Sequence, residues 1–407
     1  MISRRGFIAS SSTARLCAAP SKKKIAMVIT EYRENAHADV ICTRLLEGYE
    51  YYGKQQAPRL ETMGMYVDQF PKNDMAREMA RKHKVPIFKS VREALTLGGN
   101  ELVVDGVVLV GEHGNYPLNE KGQHLYPRYE LFSQIVDVFK ASKRSVPVFS
   151  DKHLSTDWTK AKWMVDQSKE LHFAFLAGSS VPIAWRRPEL ELAIGTPVTH
   201  AVAAAYGGME AYGYHAMEAL QSMVERRKGG ETGIASVQTL KGPAVWTYTD
   251  ANPWLAPLLA AACARSETLK PGNMRDNCKE PVLFLLNYKD GLKSAVYMLD
   301  GHLSDFNFAA QIAGKSEPVS TLFWLQPARF FSHFATLVHY IEETILTGRA
   351  PYPVERTLLV TGALAAGMDS AYQKGAKLET PYLEFQYAAP KGSFYNRGPV
   401  PPLEHKS

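Results

Sequence analysis

Three groups of residues in this 407-residue chain have the types and settings that chemistry needs. Lys152 follows Asp151 at the end of the apolar run Val146 to Phe149. A lysine partly withdrawn from water beside an acid is tuned toward neutral pH, where it can give a hydrogen bond or a proton. His215 is a histidine, whose ordinary pKa of about 6.5 suits a general base. Trp185, Arg186 and Arg187 are consecutive and offer a stacking face with charge-assisted hydrogen bonds, the means by which proteins hold sugars. Each group also has a plainer reading: a solvated lysine at a strand end, a satisfied core histidine, and a strand end at a domain interface.

Other chemistries find less support. Twelve histidines are present, but no H-x-x-x-H or H-E-x-x-H spacing occurs. His200, Glu210, His215, His302 and Asp305 are therefore not expected to form a metal site. Cys17, Cys42, Cys263 and Cys278 make no C-x-x-C pair, and read as buried apolar residues rather than a disulfide framework. The net charge of +6 is spread thinly, which excludes a nucleic-acid footprint. With 45% hydrophobic and 22% charged residues the chain is globular rather than disordered, and no apolar stretch is long enough to insert in a membrane.

The elements that must position these residues fall into two halves. Ser3-Arg4-Arg5-Gly6-Phe7-Ile8, followed by small residues to Pro20, reads as a twin-arginine signal, implying a periplasmic or secreted protein. From 21 to 152, strands at Lys24 to Thr30, Thr62 to Asp68, Val85 to Phe88, Val104 to Val110 and Val146 to Phe149 alternate with helices. These helices are expected from Ala36 to Tyr51, Asp74 to His83, after a Ser90 cap through Leu95, and Tyr129 to Ala141; one from Ser155 to Ser168, capped by Ser155 or Thr156, follows. That rhythm predicts an α/β Rossmann-like domain with a doubly wound parallel sheet. From 153 to 387 the pattern changes to an α+β domain with a large, mostly antiparallel sheet. Its clearest hairpin is Pro281 to Tyr288 turning through Lys289-Asp290-Gly291. Here the helix ending at Gly348 carries Phe334, Leu337, Val338, Ile341 and Ile345 on one face. The Pro- and Gly-rich stretch 388 to 407 is expected to be an extended or disordered tail.

Three blocks in this order resemble the glucose-fructose oxidoreductase/inositol dehydrogenase/MocA (Gfo/Idh/MocA) family over residues 24 to 386. Asp151-Lys152-His153 stands where that family has Glu-Lys-Pro. Gly207-Gly208-Met209-Glu210-Ala211-Tyr212-Gly213-Tyr214-His215 is similar to its Gly-Gly, Asp-x-Gly-x-His helix. Gly348-Arg349-Ala350-Pro351-Tyr352-Pro353-Val354-Glu355 is similar to its closing segment. The resemblance implies an oxidoreductase that takes hydride from a sugar or polyol to NAD or NADP, with Lys152 and His215 catalytic. It further implies Asp68 on the adenosine ribose, and Gly111, His113, Asp151 and Lys152 along the nicotinamide end. Trp185, Arg186, Arg187 and Glu210 would face the substrate, and a homo-oligomer would form through the open face of the second sheet.

Two departures weigh on that expectation. The family's first strand leads into Gly-x-Gly-x-x-Gly, which admits a diphosphate to the backbone. Here Thr30-Glu31-Tyr32-Arg33-Glu34-Asn35-Ala36-His37 contains no glycine. The acid that should precede His215 by one helical turn is Ala211, and the neighbouring Glu210 is rotated by about 100°. Two further functions therefore stand beside oxidoreduction: NAD-assisted glycoside cleavage, and a non-redox pseudoenzyme that binds carbohydrate.

Overall fold

The computed structural model describes residues 21–327 and 331–402. The twin-arginine segment and Cys17 lie outside the described residues. Strands β1 (Lys23–Glu31), β2 (Leu60–Gln69), β3 (Ile87–Phe88), β4 (Gly106–Val110), β5 (Val148–Asp151) and β6 (Phe175–Gly178) form one sheet in the order 3-2-1-4-5-6. Every pair is parallel. All five residues of β4 are buried, as a strand covered on both faces requires. Strand order reverses between β1 and β4, and that switch point opens the crevice in which open α/β sheets bind ligands.

Helices α1 (Ala76–His83), α2 (Val91–Thr96), α3 (Arg128–Ser142) and α4 (Trp158–Glu170) belong to this half. Ser90 accepts from the amide of Glu93 and caps α2, as expected. For α4 the cap is Asp157 rather than Ser155 or Thr156: its carboxylate accepts from the amide of Lys160, while Ser155 accepts from the amide of Asp157. The helix expected from Ala36 to Tyr51 is shorter, π-type over Asp39–Thr43 and α over Arg44–Glu47. It stops at Gly48 (φ 91°), where any Cβ would stand 2.2 Å from the carbonyl oxygen of Gln56 in the hairpin that follows.

The second sheet has eight strands: β7 (Trp185–Arg187), β8 (Val198–Ala205), β9 (Ile234–Lys241), β10 (Val282–Tyr288), β11 (Lys293–Met298), β12 (Phe306–Ile312), β13 (Val319–Trp324) and β14 (Leu378–Glu379). They run in the order 14-9-10-11-8-12-13-7, antiparallel except for β8 against β11. Helices α5 (Ala211–Val224) and α9 (Val354–Tyr372) pack on one face through Tyr214, Leu220, Leu359 and Ala363. Between β9 and β10, α6 (Pro243–Ala251) and α7 (Leu255–Cys263) cover the other face, with Leu255, Leu258 and Leu259 against Val202, Leu283, Leu285 and Tyr297. The face expected to be open for a second copy is thus covered by the chain itself.

Three boundaries differ from expectation. The first sheet does not end at 152, since β6 follows α4 and pairs with β5. Helix α8 (His333–Thr347) returns from the second half to cover β1, packing Leu337, Val338, Ile341 and Ile345 against Ile25, Met27 and Ile29. Gly106 makes room for it, because a Cβ there would lie 2.8 Å from Ile345. The described tail is extended but anchored rather than disordered. Asn396 donates its amide to Ile183, the Trp185 indole donates to Gly398, and Tyr395 is buried against Arg186.

Leu258 is 2% exposed in the layer that covers the second sheet. Leu258→Ala is expected to lower unfolding free energy by about 2–5 kcal/mol, read from the denaturant midpoint. An unchanged midpoint would mean that α7 is not seated on the sheet.

Candidate functional site

The carboxyl ends of β1, β4 and β5 and the start of α5 enclose a cavity of about 810 Å³ between the two sheets. Glu112, two residues beyond the buried end of β4, lines it. Its carboxylate is 3.2 Å from Lys152 Nζ and accepts a hydrogen bond from Arg128 at the start of α3, and all three side chains are buried. Burial alone would raise the Glu112 carboxyl, but Lys152 and Arg128 together hold it well below the usual carboxylate range. Lys152 (φ 61°) and His113 (φ 70°) both have left-handed backbones, conformations that side-chain-bearing residues adopt mainly where the surroundings enforce them.

Around this carboxylate stand three imidazoles. His37 Nδ1 is 2.6 Å from Asp151 Oδ2, so the acid at the end of β5 orients a histidine rather than facing the cavity alone. The His113 ring lies 5.4 Å from that of His37, and burial, with help from His37, lowers its pKa to about 4. His215, on the first turns of α5, is partly buried and opens on the cavity. Burial pushes its pKa well below 6.5, reinforced by Lys152 and His37 and only partly opposed by Glu112. Neutral imidazole is therefore its resting form.

The orienting partner of His215 is Ser179, just after β6, whose Oγ lies 2.5 Å from His215 Nδ1. Ser179 is itself fixed by Glu218, three residues after His215 on α5, which accepts from the Ser179 amide and from Thr357 Oγ1. Gly178 has to be glycine, since a Cβ there would stand 2.4 Å from Glu218 Oε1. Glu210 does not replace the acid missing at Ala211. Its Oε2 accepts from the amide of His124 at 2.9 Å, and its Oε1 lies 3.5 Å from His153 Nε2.

Lys152, His215, His113 and Glu210 are thus brought together in one cavity wall. Five other expected residues play different parts. Gly111 is glycine because a Cβ would strike Arg128 Cγ at 2.7 Å, so it admits a side chain rather than a ligand. Asp68 is exposed and away from the cavity wall, its two oxygens accepting from the phenols of Tyr66 and Tyr116. Arg186 spends its guanidinium on the carbonyls of Leu190 and Pro182, and Arg187 pairs with Glu267. Trp185 donates to the tail, and none of these three lines the cavity. They form β7, the edge strand of the second sheet, paired with β13. Sequence reasoning missed Glu112, Arg128, His37 and Ser179 as site residues. The available signal was their place just after parallel strands or at a helix start.

The segment after β1 does not fit a dinucleotide diphosphate. Tyr32 is fully buried beneath the turn, its hydroxyl 2.7 Å from Thr43 Oγ1. The helix that should greet a phosphate is π-wound from Asp39, whose own carboxylate accepts from the amide of Asn35 and the hydroxyl of Thr43. A helix start already holding a carboxylate repels a second anion. Among the described residues no group of three His, Cys, Asp or Glu side chains is placed to hold a metal ion. Cys42, Cys263 and Cys278 are buried and free.

No protein-family model and no curated protein sequence matches the chain. Solved structures do. GenD2 from gentamicin A biosynthesis, in complex with NAD, is 13% identical, with a TM-score of 0.54 over 92% of this chain and 99% of that one. Myo-inositol 2-dehydrogenase from Lactobacillus plantarum is 10% identical, with a TM-score of 0.54 over 88% and 99%. An oxidoreductase from Agrobacterium radiobacter, in complex with NAD+, L-tartaric acid and magnesium, is 12% identical, with a TM-score of 0.53 over 88% and 98%. The chain has the two-domain fold of Gfo/Idh/MocA-type inositol and sugar dehydrogenases.

Two outcomes test this electrostatic arrangement. Glu112→Gln leaves Lys152 and Arg128 buried without their counter-charge and is expected to cost about 3–5 kcal/mol in denaturant unfolding; a loss below ~1 kcal/mol would refute the shared pairing. The second concerns pH. His113 at about 4, His333 at about 3 and His215 well below 6.5 stay neutral when folded, whereas unfolded histidine titrates near 6.5. Over that range the unfolded chain binds more protons, so their stabilisation is complete above about pH 6.5 and is lost as pH falls. Glu218, raised by burial to about 7, acts oppositely, its contribution being lost as pH rises through that value. With three groups against one, the denaturant midpoint should fall between about pH 7 and pH 5. A flat or rising midpoint would show that these histidines are not held neutral.

Proposed function

We propose that the protein binds a small carbohydrate or polyol in the inter-domain cavity and moves a proton at one of its hydroxyls, with Lys152 and His215 as the acting pair. The observation that carries this reading is their convergence on one cavity, each already tied on its far side, Lys152 to Glu112 and His215 to Ser179. His124, Glu210 and Asp305 bring further polar side chains to the same wall, which suits a ligand rich in hydroxyl groups. Tyr206, Tyr212, Phe306 and Trp324 add the aromatic faces on which sugar rings rest.

The chemistry follows from the ring nitrogens. When His215 donates Nδ1–H to Ser179, its Nε2 carries a lone pair and can take a hydroxyl proton. When the Ser179 hydroxyl donates instead, Nε2–H becomes a donor. Ser179 can play both parts because its oxygen already accepts from the amide of Val181 while its proton remains free to turn. The Lys152 ammonium stabilises negative charge that develops on the ligand oxygen, and Glu112 fixes where that ammonium sits.

Oxidoreduction with NAD or NADP is the second reading, favoured by the fold neighbours solved with NAD. A bound nicotinamide would accept hydride from the carbon bearing that hydroxyl. The segment after β1 does not fit its diphosphate, so the non-redox reading has the better support from the site. The twin-arginine reading of the leader carries the proposal that the protein works in the periplasm or outside the cell.

The test is calorimetric titration with a panel of monosaccharides, inositols and aldonic acids against wild type, Lys152→Met and His215→Phe. At least one ligand should bind the wild type, with affinity reduced at least about tenfold in each variant, the worth of one good hydrogen bond to a charged or oriented group. Equal binding by all three proteins would remove Lys152 and His215 from the site.

A further inference from the structure

We propose that the loop 111–127 occupies, as an intramolecular plug, the crevice at the β1/β4 switch point where this fold receives a dinucleotide. The loop leaves β4 through two consecutive residues of positive φ, His113 (70°) and Gly114 (115°). That reversal is matched to Tyr116, for a Cβ on residue 114 would stand 2.5 Å from its ring. Tyr116 is thereby turned back over the strand ends, and its hydroxyl donates to Asp68 at 2.6 Å. Gln69 completes the bridge by accepting from the amide of Asn115 and donating to its carbonyl, at 2.8 and 3.2 Å. On the β1 side, Thr30 Oγ1 donates to the carbonyls of Val110 and Glu112, at 3.3 and 2.8 Å.

The acid that would receive ribose hydroxyls is therefore satisfied from within the chain, and the gap between the ends of β2 and β4 is closed by paired hydrogen bonds. The far end of the loop is anchored too. The amide of His124 donates to Glu210, Lys121 pairs with Asp369, and Tyr372 donates to Glu120 at 3.2 Å, all three partners lying in the second half of the chain. One loop thus fills the cofactor crevice of the first half and ties it to the second. What remains is the chamber at the Lys152 and His215 end, sized for one small ligand.

Protein purified without added nucleotide should release no nicotinamide on acid denaturation, and NADH or NADPH fluorescence should show no saturable change up to millimolar concentration. Hydrogen exchange should find the amide of Asn115 protected in the free protein, to the same degree with and without NAD. Stoichiometric nicotinamide in the supernatant would overturn the proposal. So would rapid exchange across 113–118 that NAD slows, because the loop would then be a lid over a working cofactor site. These readouts report only on dinucleotide and loop, so the sugar titrations of the Lys152 and His215 variants stand or fall separately.

Discussion

A carboxylate buried between two cations sets the geometry of this protein's interior. Glu112 follows the end of β4, Lys152 follows the end of the neighbouring β5, and Arg128 begins the helix that connects them. None of the three could be buried singly without a large desolvation cost. Their mutual pairing therefore dictates where the strand ends lie, holds the Lys152 backbone in a left-handed conformation, and requires glycine at 111 to clear the Arg128 stem. Burial lowers the proton affinity of His113 and His215 beside this cluster, and the Lys152 charge adds to the effect.

A second buried pair lies within the antiparallel half. Arg356 on α9 makes a two-pronged contact with Glu225 at the end of α5, both nearly inaccessible, and Tyr387 adds a phenol to the same carboxylate. One residue further, Thr357 donates to the carbonyl of Ala177 in β6 and approaches Glu218. Helix α9 thus reads out the position of the first sheet and passes it to the helix that carries His215. The distance between Lys152 and His215 is fixed by packed elements rather than by mobile connections, which is what a preorganised site needs.

The fold was largely legible because hydrophobic periodicity and turn chemistry are local. Alternating apolar strands and helices announced the parallel sheet, Ser90 and Gly348 marked helix ends, and Lys289-Asp290-Gly291 marked a hairpin. That Lys152 and His215 share one cavity was foreshadowed too, since each stands in a block of several matching residues. What could not be read were pairings across long separations. Nothing local says that Asp68 will be taken by a tyrosine 48 residues on, or that Ser179 rather than an acid on the same helix will hold His215. Arg186 and Arg187 misled for the same reason: a guanidinium looks available until the carbonyls and carboxylates that consume it are placed. The covering of the second sheet by α7 was missed because an all-apolar nine-residue helix has no amphipathic pattern to detect.

The return of α8 to the first sheet has a consequence for synthesis. Ile25, Met27 and Ile29 emerge from the ribosome some three hundred residues before Leu337, Val338 and Ile341, which cover them. An amino-terminal half released early would show a bare apolar sheet face to any other nascent chain. Domains commonly fold in order of emergence, and such exposure favours aggregation. Here the first domain cannot close until nearly the whole polypeptide exists. A chain truncated near residue 180 should accordingly be a poor candidate for expression as an isolated domain, despite containing every strand of the parallel sheet.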